Sequence, residues 1–185
     1  MTAIVGLVHD RKVYIGGDSI TEHAGMVHIN ARAKVIQLNG MLIGTAGSPR
    51  YRQIIQHHMT GLRKPTPDES MLRYLAVEFI PALRQALREN GFSKTDAGQE
   101  NSEYSAMLIG YQGQLFRIEC DFSILQWERD FDAIGSANSI AFGAMAALSP
   151  RLAPEKRINR VLEIAAKFDP YVCPPFVIRN TGELS

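Results

Sequence analysis

A chain of 185 residues with 45% apolar composition is long enough to bury one sizeable core, and its formal net charge of +1, with acids and bases interspersed, offers neither an electrostatic footprint for nucleic acid nor a polybasic arm for a membrane. Cys120 and Cys173 stand far apart without CxxC or Cys/His spacing, which argues against a disulfide framework or a zinc site and for a reducing compartment. No apolar run approaches the roughly 18 residues of a membrane span, and no basic segment precedes an apolar run at the start, so the expectation is one cytoplasmic domain over residues 1–185.

Residues 3–8 form an apolar, β-branched run, His9-Asp10-Arg11-Lys12 a polar turn, and Val13-Tyr14-Ile15-Gly16-Gly17 a second run ending on Asp18, the pattern of a hairpin. Residues 19–25 read as loop, and strand character returns around Lys34-Val35-Ile36. Asn39-Gly40 is a strong hairpin dipeptide leading into Met41-Leu42-Ile43. The first 47 residues thus predict a run of antiparallel strands in one sheet. At Ser48-Pro49 the period changes: Ser48 suits an N-cap, Pro49 the first helical position, and Ile54, Ile55, His58, Met59 and Leu62 follow at helical spacing.

Beyond Pro65-Thr66-Pro67, Asp68 caps an expected second helix with the stripe Leu72, Leu75, Ala76, Phe79, Ile80, Leu83, Ala86 and Leu87. Pro81 inside that stripe predicts a kink, and Asn90-Gly91 a stop. Residues 93–103 are polar and aperiodic, a loop. Strands return over residues 104–110, 114–122 and 124–128, with Phe131-Asp132-Ala133-Ile134 as a further short one. A small-residue helix over 139–148, an amphipathic helix over 154–168 and a last strand at Phe176-Val177-Ile178 complete the chain. Strands, two helices, strands, two helices and a strand fit an α+β fold, a four-layer αββα sandwich of two antiparallel sheets with helices outside each.

The chemistry begins at Thr2. Removal of Met1 leaves a hydroxyl and a free α-amine on one residue, a nucleophile together with a base that titrates at roughly 7.7 to 8.0. Asp18, Lys34 and Gly47 stand at successive strand ends. A lysine beside a carboxylate stays charged and favours loss of the Thr2 proton, while the amide of Gly47, next to a helix start, suits a developing oxyanion. His57 and His58 are adjacent on a helix, about 100° apart, and make poor joint metal ligands. With His9, His23 and His28 they read as surface or partner-contact residues.

Thr2-Ala3-Ile4-Val5, Ile15-Gly16-Gly17-Asp18, Asn30-Ala31-Arg32-Ala33-Lys34-Val35, Gly44-Thr45-Ala46-Gly47 and Ala133-Ile134-Gly135-Ser136, in this order and spacing, resemble the signatures of proteasome β-type threonine peptidases, nearest to the HslV-like bacterial branch. The resemblance implies the sandwich of N-terminal nucleophile hydrolases. It implies Thr2 as nucleophile with its own amine as base, Lys34 tuning the hydroxyl, Asp18 holding Lys34, Gly47 at the oxyanion, and Ser136 and Asp169 supporting the amine from the second sheet, without metal or organic cofactor. Many members carry a serine three residues after the matching aspartate, where this chain has Val172. The resemblance further implies a homo-oligomer of stacked rings acting on unfolded polypeptides, with an ATPase unfoldase ring as possible partner. A catalytically silent ring-forming scaffold and a small-molecule amidohydrolase are the alternatives on the same fold.

Overall fold

In the computed structural model, which describes residues 2–96 and 98–183, the apolar side chains of the first strand divide between two faces. β1 (Ala3–His9) turns Ala3, Val5 and Leu7 toward one layer and Ile4 toward another, the period of a strand buried on both sides. β2 (Lys12–Gly17) pairs antiparallel with it, Ile4 opposite Gly17. β3 (Ile20–His23) and β4 (Met26–Ile29) form a separate hairpin, and β5 (Val35–Leu38) and β6 (Met41–Ala46) pair across Asn39-Gly40, both with positive φ. α1 (Pro49–His58) begins on Ser48, whose hydroxyl accepts the Arg50 N–H.

The second helical segment starts as α2 (Met71–Tyr74), passes through a π turn at Leu75–Phe79 and continues as α3 (Ile80–Glu89). Its cap is Ser70, not Asp68: the Ser70 hydroxyl accepts the Arg73 N–H. Around Pro81 the helical hydrogen-bond ladder is rearranged. The missing donor is absorbed one turn earlier, where the Ile80 N–H donates to Leu75 O, five residues back. Leu72 and Ala76, expected on the buried stripe, face outward, and Met71 and Tyr74 take their place.

The remaining elements are β7 (Lys94–Asp96), β8 (Gln99–Asn101), β9 (Ala106–Tyr111), β10 (Gln114–Ile118), β11 (Ile124–Leu125), β12 (Phe131–Gly135), α4 (Asn138–Ala147), α5 (Pro154–Phe168) and β13 (Val177–Asn180). One sheet has the order β12-β1-β2-β13 and the other β11-β10-β9-β6-β5. Ile4, Val13, Ile15, Leu42, Leu108 and Leu115 fill the space between them. α4 and α5 cover the first sheet, and α1 and α3 the second. The result is the α+β fold expected, a four-layer αββα sandwich of antiparallel sheets.

Three further expectations are corrected. Residues 19–25 include β3, which lacks an apolar alternation because its hairpin stands apart from both main sheets. Residues 93–103 contain the β7–β8 hairpin, paired by backbone hydrogen bonds that a polar sequence does not advertise. The strands of the first 47 residues do not share one sheet: β1 and β2 lie in one, β5 and β6 in the other. Turn chemistry fixes which sequence neighbours pair, and the β3–β4 excursion carries the chain from one sheet to the next.

Candidate active site

Asp18 follows directly on β2, and its N–H extends the ladder to Ala3 O at 3.3 Å. Its carboxylate is 1% exposed and doubly anchored: Oδ1 accepts the Ala3 N–H at 2.8 Å and Oδ2 the Ile20 N–H at 3.1 Å. Against this fixed acceptor the Lys34 ammonium sits at 2.7 Å, and the same Nζ donates to Thr2 Oγ1 at 3.0 Å. Lys34 immediately precedes β5, so it reaches Thr2 from the facing sheet rather than along the same one. Its backbone carbonyl accepts the Thr45 N–H at 3.0 Å, tying its main chain to β6.

Burial lowers the pKa of Lys34 below the 10.5 of an ordinary lysine; the Asp18 charge and hydrogen bond oppose this, and the positive charge of Arg52 adds to the lowering. The outcome is a desolvated cation held between a carboxylate and a hydroxyl. Such a cation stabilises negative charge developing on Thr2 Oγ1 without having to move.

Thr2 is supported from the other direction by Ser136 and Asp169. Ser136 follows β12, which pairs with β1 in the sheet carrying Thr2, so this support comes from the same sheet and not from the second one. The Thr2 N–H donates to Ser136 Oγ at 3.3 Å, and Ser136 Oγ donates to Asp169 Oδ2 at 2.7 Å. Asp169 caps the end of α5, and its Oδ1 accepts the Tyr171 N–H at 2.9 Å. Val172 is buried in the core under α5. Gly135 has φ of 99°, and a Cβ there would lie 2.0 Å from Thr2 O, so only glycine lets β12 approach the first residue this closely.

Gly47 stands between β6 and the Ser48 cap with φ of 108°. A Cβ there would meet Ser105 Oγ at 2.5 Å and Ser105 Cα at 2.8 Å. Ser105 is fully buried, and its hydroxyl accepts the Ser48 N–H at 3.3 Å, holding the loop that carries Gly47. Nothing in the sequence around Ser105 points to this role. Arg52 also escapes the sequence reading, though a signal exists: Arg52, Ile55 and Met59 follow the i, i+3, i+7 spacing of a buried helix face, and a charge on that face calls for a reason.

The structure therefore brings together Thr2, Asp18, Lys34, Ser136 and Asp169, and sets Gly47 at the neighbouring strand end. His57 and His58 are on the last turn of α1, both exposed. Among the described residues no group of three or more His, Cys, Asp and Glu side chains is placed to hold a metal ion. Met1 lies outside the described residues.

The fold is shared with proteasome-related proteins of solved structure. BPH from Thiobacillus denitrificans, in a structure in complex with epoxomicin, superposes with a TM-score of 0.81 at 22% identity over 96% of this chain and 97% of that one. HslV from Trypanosoma brucei matches with a TM-score of 0.70 at 17% identity, covering 96% of this chain and 98% of the other. A mutant of Anbu from Hyphomicrobium sp. strain MC1 matches with a TM-score of 0.69 at 14% identity over 98% of this chain and 83% of that one. No protein-family model and no curated protein sequence matches the chain.

Proposed function

We propose that this protein is a threonine endopeptidase in which removal of Met1 makes Thr2 an N-terminal nucleophile. The observation that carries this reading is the Lys34 Nζ at 3.0 Å from Thr2 Oγ1 and 2.7 Å from Asp18 Oδ2, a buried hydroxyl paired with a buried, anchored cation. In the mature chain the α-amine at Thr2 takes the hydroxyl proton, directly or through water, as Oγ1 attacks the scissile carbonyl carbon. The tetrahedral oxyanion is received by the Gly47 amide. Collapse breaks the C–N bond, the amine passes its proton to the leaving nitrogen, and an ester on Thr2 remains for water to hydrolyse. Ser136, held by Asp169, orients the amine.

The assembly we propose is a homo-oligomer of stacked rings enclosing Thr2, working in the cytoplasm on polypeptides unfolded by a partner ATPase ring. The likeness in fold to HslV and to BPH supports it. The test is intact mass before and after a peptide epoxyketone, a reagent whose two electrophilic carbons take the hydroxyl and the amine of a single residue. A species lacking Met1 that gains one adduct, lost in Thr2→Ala together with peptide cleavage, is the expected result. Quantitative retention of Met1 with no adduct would sink the hydrolase reading in favour of a silent scaffold.

A further inference from the structure

Arg52 is 5% exposed. Of the three buried cations among the described residues, Lys34 is paired with Asp18 and Arg157 donates to Met145 O at 2.9 Å, whereas Arg52 makes no hydrogen bond or ion pair with any of those residues. Its stem is buried, and none of its nitrogens is among the buried, unpartnered polar atoms, so the guanidinium opens onto the cavity that it lines, partly desolvated and without a counter-charge, a setting that favours the arrival of an anion. The cavity that Arg52 lines, about 410 Å³, is also lined by Arg32, Arg50, Asn30, His57 and His58, and by no carboxylate.

The position of this cavity follows from its walls. Asn30 and Arg32 belong to the segment leading into Lys34, and α1 starts directly after Gly47, so both walls continue the strand ends that frame Thr2. Arg52 lies one helical turn beyond Ser48, and helical side chains lean back over the preceding turn, that is, toward the start of α1. Its charge is felt at Lys34, whose Nζ touches the nucleophile. Thr2, Lys34 and Gly47 do not line the cavity themselves; its walls place it near them, and on the Thr2 reading a substrate group entering here is one close to the scissile bond.

We propose that Arg52, with Arg32 and Arg50 at the rim, forms a carboxylate-binding subsite beside Thr2 that selects peptides with an acidic side chain next to the cleaved bond. The inference rests on the Thr2 reading for the position of the bond, and on Arg52 alone for the charge preference. A planar guanidinium takes a carboxylate through two parallel hydrogen bonds, a geometry that the uncharged isostere glutamine cannot match.

The experiment uses the assembled protein and end-blocked fluorogenic peptides identical except for Glu or Gln before the scissile bond. A parallel calorimetric arm measures binding of the same sequences, closed as plain amides, to Thr2→Ala. The Glu peptide is expected to exceed its Gln partner by about 10- to 100-fold in kcat/KM and in affinity, the range of a hydrogen bond to a charged group. In Arg52→Met, whose unbranched chain retains the apolar packing of the stem, the ratio should fall to near one, and Arg52→Lys should keep part of it. Equal handling of Glu and Gln by the wild-type protein, as would follow if a carboxylate of a second copy already filled the subsite, overturns the proposal, as does a preference that survives Arg52→Met. Cleavage without acid preference refutes the subsite alone. If nothing is cleaved and Thr2 takes no adduct, the peptidase reading fails while the binding ratio still judges Arg52.

Discussion

In the proposed mechanism, two ionisations with opposite requirements meet at Thr2. The α-amine must be neutral to accept a proton, and Lys34 must stay charged to stabilise the oxygen that loses it. Activity should therefore rise through the amine pKa, roughly 7.7 to 8.0 for an ordinary α-amine. It should fall again as Lys34 titrates, at a pH below 10.5, because burial and the nearby Arg52 outweigh the opposing pull of Asp18. Unfolding cannot mimic that alkaline loss through Lys34. Folding lowers its pKa, so the folded chain binds this proton less tightly than the unfolded one, and the stability linked to it increases with pH between the lowered value and 10.5. Lys34→Ala is expected to reduce kcat about 100- to 1000-fold. Lys34→Arg, slower than wild type because a guanidinium cannot reproduce the single-point contact, should lose the alkaline limb altogether. A pH profile of kcat/KM decides, and an unchanged limb in Lys34→Arg would assign that ionisation to another group. Thr2, Asp18 and Lys34 are legible in the sequence because each is a polar residue at the edge of an apolar run. Ser105 is not, because its role lies in its packing against Gly47, which only the fold creates.

At the level of elements, the turn from β6 into α1 joins a left-handed glycine to a capped helix. Gly47→Ala faces two separate penalties: the Cβ at 2.5 Å from Ser105 Oγ, and the φ of 108° that a side chain disfavours. Pairing it with Ser105→Gly removes the clashes with the serine side chain. The close approach to the main chain at residue 105 stays, as does the cost of the left-handed φ, on the order of 1–3 kcal/mol. Thermal denaturation should accordingly show Gly47→Ala well below wild type and the double variant only partly restored. Full restoration would mean that side-chain sterics alone require glycine here. This element is readable because Ser48 and Pro49 announce a helix start. β3 is not, since Thr21 and Glu22 alternate with no apolar partner inside a main sheet. The π turn before Pro81 is half-readable: the sequence places a fault in the ladder, and tertiary packing of Phe79 and Ile80 decides which form it takes.

For the molecule as a whole, the site belongs to neither sheet. Thr2 and Asp18 come from the first and Lys34 and Gly47 from the second, so the gap between sheets sets the reach of the ammonium to the hydroxyl. Sequence proximity hides this, because a chain order of strands does not reveal where a hairpin excursion changes layer. The spacing is governed in part by Gly44, which pairs with Val35, the neighbour of Lys34. A Cβ at Gly44 would fall 2.6 Å from Ile4 Cγ2 and 2.7 Å from Ile15 Cγ2, both on the facing sheet. Gly44→Val should push the sheets apart locally, with about 1–3 kcal/mol of overpacking. Lys34 would move with its ladder partner, and activity should fall more than the stability loss alone explains, since displacement by about 1 Å at a reacting centre can cost 100-fold. Removing the nearer of the two facing groups, with Ile15 Cγ2 left in place, tests the cause. Ile4→Ala alone opens a cavity and should destabilise by about 2–5 kcal/mol, yet combined with Gly44→Val it should recover both stability and peptide cleavage relative to either single variant. Strictly additive losses in denaturation and kcat/KM would show instead that the two positions do not communicate, and that the sheet spacing does not govern the nucleophile.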